Sequence, residues 1–206
     1  MPAELTEAAP TIPYADERGL DAEAQLVFDE TKAMLGVVPN AARTYMHRPD
    51  IAKVIHLFYS TIVLSDRSNL DARLKNKLGV ICSSANGCVY CTSHQCSLTQ
   101  KNLDSAEWGL TDDALLALIS GADTGESDIE RVCFEFARAA SLDPGAVSDA
   151  LLTRMKALMT PAQIVELGCV VSMWKFFNTM HDSLHIPSEG ALSKYHGFIE
   201  TGRAAH

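Results

Sequence analysis

Apolar residues recur along most of the chain at intervals of three and four residues, the spacing typical of amphipathic α-helices. The segment 161–183 carries the broadest apolar stripe. Its members are Ile164, Leu167, Val171, Trp174, Phe177 and Met180. No stretch of five or more residues alternates regularly between apolar and polar positions, as a half-buried β-strand would. We therefore predict an all-α fold, a bundle of about seven to nine helices in a single domain.

The ends of the predicted elements are marked by residues that start or stop helices. Thr160 stands directly before Pro161, and Gln163 follows three residues after Thr160, which predicts a capping box and a preset first turn. Residues 1–20 contain three prolines and no helical period. We predict an extended N-terminal arm over residues 1–20, followed by the helical domain over residues 21–206.

Composition and charge exclude some classes of partner. The 206 residues are 47% hydrophobic and 21% charged, which is typical of a globular domain, and the net charge of −9 disfavours a nucleic-acid partner. No segment approaches the ~18 uninterrupted apolar residues of a membrane span. The first residues are acidic and proline-containing, unlike a signal peptide. We therefore expect a cytoplasmic protein that binds neither nucleic acid nor membrane.

The segment 86–96, NGCVYCTSHQC, carries three of the six cysteines. Cys88 begins a helix after the Asn-Gly break, where unpaired N–H groups and the helix dipole favour a thiolate. Cys91 lies one turn further along the same face, so that the two sulfurs can approach disulfide distance. Because structural disulfides are rare in the cytoplasm, the pair predicts catalytic oxidation, redox sensing or metal binding.

A histidine and a tyrosine accompany the cysteine pair. His94 follows Cys91 by three residues, so that its imidazole could take the thiol proton, and Tyr90 could hydrogen-bond to His94 from one turn earlier. We predict Cys88, Cys91 and His94 as the catalytic residues. Cys91 is expected to meet the substrate and Cys88 to resolve, although the helix dipole leaves the reverse assignment open.

Two other readings of the same segment are inert buried thiols, since free cysteine is often simply part of a core, and metal binding. Cys88, Cys91 and His94 offer three zinc ligands, with Cys82 or Cys96 as a fourth. Structural zinc usually holds together small, loop-rich domains, and this chain is long enough to bury a core without it. We therefore predict no metal and no cofactor in this segment.

A second histidine pair lies near the end of the last long helix. His181 and His185 are four residues apart, a spacing that can bind a metal ion. The alternative is that both are polar residues near the helix end, where the dipole favours cationic histidine. The two readings stay open at this point.

Several segments together resemble the AhpD-like superfamily, which includes the carboxymuconolactone decarboxylase family and peroxidase-related proteins. The segments are LGVVPNAARTYMHRPDI, LDARLKNKLGVICSSANG followed by CVYCTSHQC, and TPAQIVELGCVVSMWKFFNTMHDSLHIPSE. The resemblance covers roughly residues 30–190 and implies an all-α fold and homo-oligomers. It also implies a thiol peroxidase or disulfide reductase in which Cys88 and Cys91 cycle between dithiol and disulfide, with a peroxide substrate and a thiol reductant or redox partner protein.

The sequence departs from this family at both positions of its proton relay. A glutamate twelve residues before the first cysteine is replaced by Asn76, and a histidine four residues after the second is replaced by Gln95. Asn76 cannot accept a proton at neutral pH. Either His94 serves as the base, or deprotonation depends on the helix dipole, or the reaction differs. The alternatives are a cofactor-free lactone decarboxylase or isomerase acting on a lactone substrate, and a non-catalytic redox-sensing or metal-binding protein.

The last long helix is expected to form a wall of the pocket beside the cysteines. On that reading, Trp174, Asn178 or His181 would contact the substrate. The complete set of candidate relay or pocket residues is Asn76, Tyr90, Gln95, Trp174, Asn178 and His181.

Overall fold

The computed structural model describes residues 9–101, 109–123 and 125–204, and the described residues form ten α-helices and no β-strand. The helices are α1 (Ala22–Leu35), α2 (Asn40–Tyr45), α3 (Pro49–Val63), α4 (Ala72–Ala85), α5 (Val89–Lys101), α6 (Asp112–Ile119), α7 (Asp128–Leu142), α8 (Asp149–Leu158), α9 (Pro161–Ser183) and α10 (Lys194–Ala204). Nine of them have seven or more residues. The predicted all-α fold in a single domain is confirmed.

The sequence signals at the start of α9 act as predicted. The Thr160 side chain accepts a hydrogen bond from the Gln163 backbone N–H, and the Gln163 side chain accepts one from the Thr160 N–H at 2.9 Å. These reciprocal bonds satisfy two of the backbone donors that a helix leaves unpaired at its start. The capping box is therefore present, and it fixes where the longest helix begins.

The N-terminal arm lies partly outside the described residues, since 1–8 are not described. Residues 9–16 have no regular structure, and Glu17–Gly19 form a short 3-10 turn. The Ala15 N–H donates to the Arg43 carbonyl at 3.2 Å. This bond places the end of the arm against α2.

Helix α4 is the centre of the domain, where it packs against α5, α6, α7 and α9. Leu78, Val80 and Ile81 are almost completely buried there. A side chain at Gly79 would overlap the Gln95 amide, so the glycine permits the close approach of α4 and α5. The close packing of α5 on this central helix places its first turn, with both cysteines, inside the protein.

A smaller apolar cluster joins α1 to α2 and α3. It consists of Ala24, Val27, Phe28, Met46 and Ala52. Because this cluster is separate from the main core, a cavity fits between α1 and α3 on one side and α5 and α9 on the other. Among the described helices, none combines the length and hydropathy needed to cross a bilayer.

Candidate active site

The cysteine pair sits at the amino-terminal end of α5. Cys88 directly precedes the helix, and its Sγ accepts a hydrogen bond from the Cys91 backbone N–H at 3.3 Å. The Cys88 carbonyl accepts the first intrahelical bond, from Thr92 at 3.0 Å. Both thiols are free, and each residue is at most 2% exposed. The predicted position of the pair at a helix start is therefore correct.

The imidazole next to Cys91 comes from a different helix than predicted. Cys91 Sγ lies 3.0 Å from His181 Nδ1 on α9. The Tyr45 hydroxyl of α2 forms a hydrogen bond with Nε2 of the same imidazole. We call Cys91, His181 and Tyr45 the thiol relay, since they form one chain of hydrogen bonds across three helices.

Burial keeps the thiol relay in its neutral forms. It lowers the pKa of His181 to about 3, with a further contribution from the nearby charge of His94. Burial, and then the neighbouring Cys88 sulfur, raise the pKa of Cys91 well above its usual range. The pair at rest is thus a thiol and an uncharged imidazole.

His94, the predicted base, has another partner. Its Nε2 lies 2.7 Å from Oε2 of Glu189, in the segment that follows α9. The Cys91 side chain instead meets an imidazole from α9, so helical spacing within α5 does not decide its partner. The predicted pairing of His94 with Cys91 is therefore replaced by a hydrogen bond between His94 and Glu189.

The Glu189 carboxylate accepts hydrogen bonds from three donors. Besides His94, it accepts the Asn40 backbone N–H at 2.6 Å and the Tyr90 hydroxyl at 3.2 Å. Burial alone would raise the pKa of Glu189, but the hydrogen bond and charge of His94, together with the Asn40 amide, lower it overall. The result is an ionised side chain that ties the segment after α9 to α2 and α5.

Tyr90 contacts both histidines through its ring. The centroid of the Tyr90 ring lies 4.5 Å from the centroid of the His94 ring and 4.7 Å from that of the His181 ring. Its hydroxyl accepts the Ala41 N–H at 3.1 Å and donates to Glu189. The predicted hydrogen bond from Tyr90 to His94 is therefore a ring contact instead.

A largely apolar cavity of about 450 Å³ opens beside the thiol relay. Its aromatic lining residues are Tyr45, Tyr59, Tyr90, Trp174 and Phe177. The indole N–H of Trp174 is buried, with no hydrogen-bond partner in the described part of the chain. The cavity therefore has room for an organic molecule.

The sequence-predicted residues divide into two groups around this cavity. Those that line it are Tyr90, Cys91, His94, Gln95, Trp174 and His181. The others are outside its lining: Cys88 is fully buried, and Asn76 is half-buried on α4. Asn178 is buried and donates to the Cys82 carbonyl at 3.4 Å. Asn76 is therefore not placed to replace the family's glutamate at the cavity.

The sequence reasoning missed Tyr45 and did not give Glu189 a role. Tyr45 is the last residue of α2, and this helix of six residues is too short to show a spacing signal. Glu189 is the last residue of the segment TPAQIVELGCVVSMWKFFNTMHDSLHIPSE, whose resemblance to the AhpD-like superfamily was the signal that could have identified it.

A group suited to metal binding is also present, with different members than predicted. The side-chain ligand atoms of Cys88, Cys91 and His181 all lie within 4.8 Å of one another, and all three residues are buried. His185 is exposed beyond the end of α9, with a positive φ of 49°. His181 and His185 therefore face different environments.

Solved structures with the same fold include peroxidase-related proteins and a debrominase. An uncharacterized peroxidase-related protein from Ralstonia eutropha JMP134, described as an alkylhydroperoxidase AhpD core, has a TM-score of 0.76 at 16% identity, over 90% of this chain and 95% of that one. The apo debrominase Bmp8 also has a TM-score of 0.76, at 20% identity, over 91% of this chain and 97% of that one. An uncharacterized peroxidase-related protein from Silicibacter sp. TM1040 has a TM-score of 0.73 at 21% identity, over 94% of this chain and 96% of that one. The AhpD-like fold that the sequence resemblance implies is confirmed.

Sequence comparison adds one partial match. The uncharacterized protein YnjA of Escherichia coli strain K12 is 34% identical over 64 residues, which is 31% of this chain and 35% of that protein. The match spans about a third of the curated relative. No protein-family model matches the chain.

Proposed function

We propose that this protein is an enzyme, a dithiol-dependent oxidoreductase of the alkylhydroperoxidase type. The observation that carries the proposal is the position of Cys91. Its sulfur lines an apolar cavity, lies 3.0 Å from the His181 imidazole, and has a second thiol, Cys88, one helical turn away. Cys91 is the attacking thiol in this proposal, and Cys88 is the resolving thiol.

The neutral thiol relay supports a mechanism in which the proton moves during attack. The Cys91 thiol proton passes to His181 while the sulfur attacks the terminal peroxide oxygen. The O–O bond breaks, Cys91 becomes a sulfenic acid, and the departing alkoxide takes the proton from the imidazolium. Burial disfavours a resting thiolate–imidazolium pair. Loss of the thiol proton and cleavage of the O–O bond are therefore concerted. The negative charge is transferred to the leaving oxygen, and no separate thiolate forms first.

The second half of the cycle forms a disulfide. The Cys88 thiol attacks the sulfenic sulfur of Cys91, and water leaves. An external thiol reductant or a redox partner protein then returns two electrons and two protons to restore the dithiol. Tyr45 keeps the imidazole in place throughout by its hydrogen bond to Nε2.

The cavity supports a second candidate reaction, reductive dehalogenation of an apolar aromatic compound. It is lined by aromatic side chains. Bmp8, which shares the fold, is a debrominase, and a cysteine-to-alanine variant of that protein was solved in complex with 2,3,4-tribromopyrrole. In such a reaction an aryl bromide and two thiols would yield the arene, bromide, a proton and a disulfide.

Parallel assays on one preparation distinguish these reactions from the lactone alternative. We expect the reduced protein to consume cumene hydroperoxide with dithiothreitol as the donor, and the double variant Cys88→Ser/Cys91→Ser to be inactive. Bromide release from a bromopyrrole, without peroxide consumption, would favour the dehalogenase. Lactone turnover that survives in the double variant would favour the decarboxylase or isomerase. A disulfide or bound metal without turnover would indicate a non-catalytic sensor.

Two further expectations belong to this proposal. A dithiol centre among buried free cysteines suits a reducing compartment, so we propose a cytoplasmic location. Exposed apolar side chains on α3 and α9, including Val54, Leu57, Val165 and Phe176, support a homo-oligomer. Sedimentation equilibrium tests the second point, since Val54→Asp should then lower the molar mass and a monomeric wild type would contradict it.

A further inference from the structure

We propose that the reduced protein binds a thiophilic d10 metal ion, with Zn²⁺ as the reference ion, through Cys88, Cys91 and His181. Their ligand atoms lie within 4.8 Å of one another, and all three side chains are buried. Two thiolates and an imidazole are the donors that zinc and copper(I) prefer. The proposal stands on this ligand geometry and does not require the peroxidase reaction.

Small side-chain movements are enough to form the site. Zn–S bonds of about 2.3 Å and Zn–N bonds of about 2.0–2.1 Å in a tetrahedral site place neighbouring ligand atoms about 3.5–3.8 Å apart. The present separations, from 3.0 Å for Cys91 Sγ to His181 Nδ1 up to the 4.8 Å limit, bracket this range. Each ligand atom therefore needs to move by roughly an ångström or less.

The surroundings already hold the ligands in a suitable orientation. The Tyr45 hydroxyl bonds to Nε2 of His181, which leaves Nδ1 directed at the sulfur of Cys91. Metal-binding histidines commonly have their second nitrogen fixed in this way. The Cys91 backbone N–H donates to Cys88 Sγ, and this bond remains available to a metal-bound thiolate.

The fourth coordination position would face the cavity. Cys91 and His181 line the cavity, whereas Cys88 is not among its lining residues. Three protein ligands with one open position are typical of zinc sites that bind water or a small molecule. Binding replaces two thiol protons by the metal, so one ion releases two protons. The disulfide form retains no thiolate, and metal binding and the disulfide therefore exclude each other.

Cobalt(II) titration of the anaerobically reduced protein tests the proposal. We expect one equivalent per chain, with thiolate-to-cobalt charge-transfer bands, displacement by Zn²⁺, and no binding by the disulfide form. Cys88→Ala, Cys91→Ala and His181→Asn should each weaken binding at least about tenfold. Cys96→Ala, a buried thiol on the same helix, and Cys169→Ser, an exposed thiol on α9, are matched controls and should bind as the wild type does.

Two results would overturn the proposal: no stoichiometric Co²⁺ binding by the reduced wild type, or binding that persists in the disulfide form. Because that comparison uses the unmutated chain, a variant that fails to fold cannot obscure it. Failure of the proposed function is distinguishable. Cobalt binding without peroxide consumption would remove the oxidoreductase and leave the metal site, whereas peroxide consumption without cobalt binding would do the opposite.

Discussion

The protein buries two groups of thiols, and burial does not distinguish them. The first group is Cys82, Cys96 and Cys133, and the second is Cys88 and Cys91. Burial raises the pKa of each thiol in the first group to about 12. The neighbour of Cys133 is the Met159 sulfur at 4.0 Å, which can neither take nor give a proton.

Polar neighbours alone do not separate the groups, since Cys82 has Ser141 and Arg138 beside it. What separates the second group is an imidazole, a second thiol one turn away and the position of Cys91 at the cavity. Cys91 has an imidazole within hydrogen-bonding distance and a cavity in front of it, and Cys88 has a backbone N–H donor. On the proposed function, reactivity at a buried cysteine requires a base, a nearby second thiol and space for a substrate. The strongest tests change one group and use the other as the control.

The largest expected effect comes from removing the attacking thiol. Cys91→Ala should lower peroxide consumption to the background rate, because no other thiol lines the cavity in the described part of the chain. Cys96→Ala removes an equally buried thiol from the same helix and should retain most of the activity. Steady-state peroxidase assays on the two purified variants check the difference. Equal activities of the two variants would contradict the distinction between the two groups of thiols.

Loss of the imidazole should have the next largest effect. His181→Asn removes the proton acceptor of Cys91, and general bases typically contribute about 100-fold or more. We expect kcat/KM to fall by about that factor and to recover partly at alkaline pH, where solvent hydroxide can deprotonate the thiol. Burial raises the pKa of Cys91, so the recovery should continue as pH rises above 9. His94→Asn should cost less, and a larger loss in that variant would restore His94 as the base.

The same imidazole should make the fold sensitive to acid. In the unfolded chain His181 takes a proton near pH 6.5, whereas burial lowers its pKa to about 3 in the folded protein. Between these values the unfolded state binds more protons, so stability is lost as pH falls, by at most about 1.4 kcal/mol per pH unit. Urea unfolding at a series of pH values should show a shallower loss for His181→Asn. Parallel curves for the two proteins would contradict a buried neutral imidazole.

A smaller effect is expected from the outer member of the thiol relay. Tyr45→Phe removes one neutral hydrogen bond to His181 and keeps the aromatic wall of the cavity. Such a bond contributes about 1 kcal/mol, so kcat/KM should fall about fivefold. Tyr59→Phe, which changes another cavity-lining tyrosine, is the matched control. A loss in Tyr45→Phe as large as that in His181→Asn would mean that Tyr45 itself transfers the proton.

The sequence was sufficient for features that depend on neighbours along the chain. Helical period, the Thr160 capping box and the placement of Cys88 and Cys91 at a helix start are all local, and each agrees with the structure. The resemblance to the AhpD-like superfamily also placed α9 beside the cysteines, and Trp174 and His181 do line the cavity.

The partners of the reactive groups could not be predicted, because they come from distant segments. Tyr45 and His181 are 136 residues apart, and His94 and Glu189 are 95 residues apart. Helical spacing shows which side chains share a face of α5, but not which imidazole another helix supplies. The raised pKa of Cys91 has the same origin. It follows from burial by the whole fold, and the local helix dipole pointed in the other direction.

The most direct test is thiol-labelling mass spectrometry on the reduced wild type, before and after one equivalent of cumene hydroperoxide. We expect a disulfide between Cys88 and Cys91 to form within seconds and to be reversed by dithiothreitol. The other buried thiols, Cys82, Cys96 and Cys133, should remain reduced. A pair that stays reduced while peroxide persists, or oxidation that falls first on one of the other buried thiols, would contradict the assignment of Cys91 and Cys88 as the reactive pair.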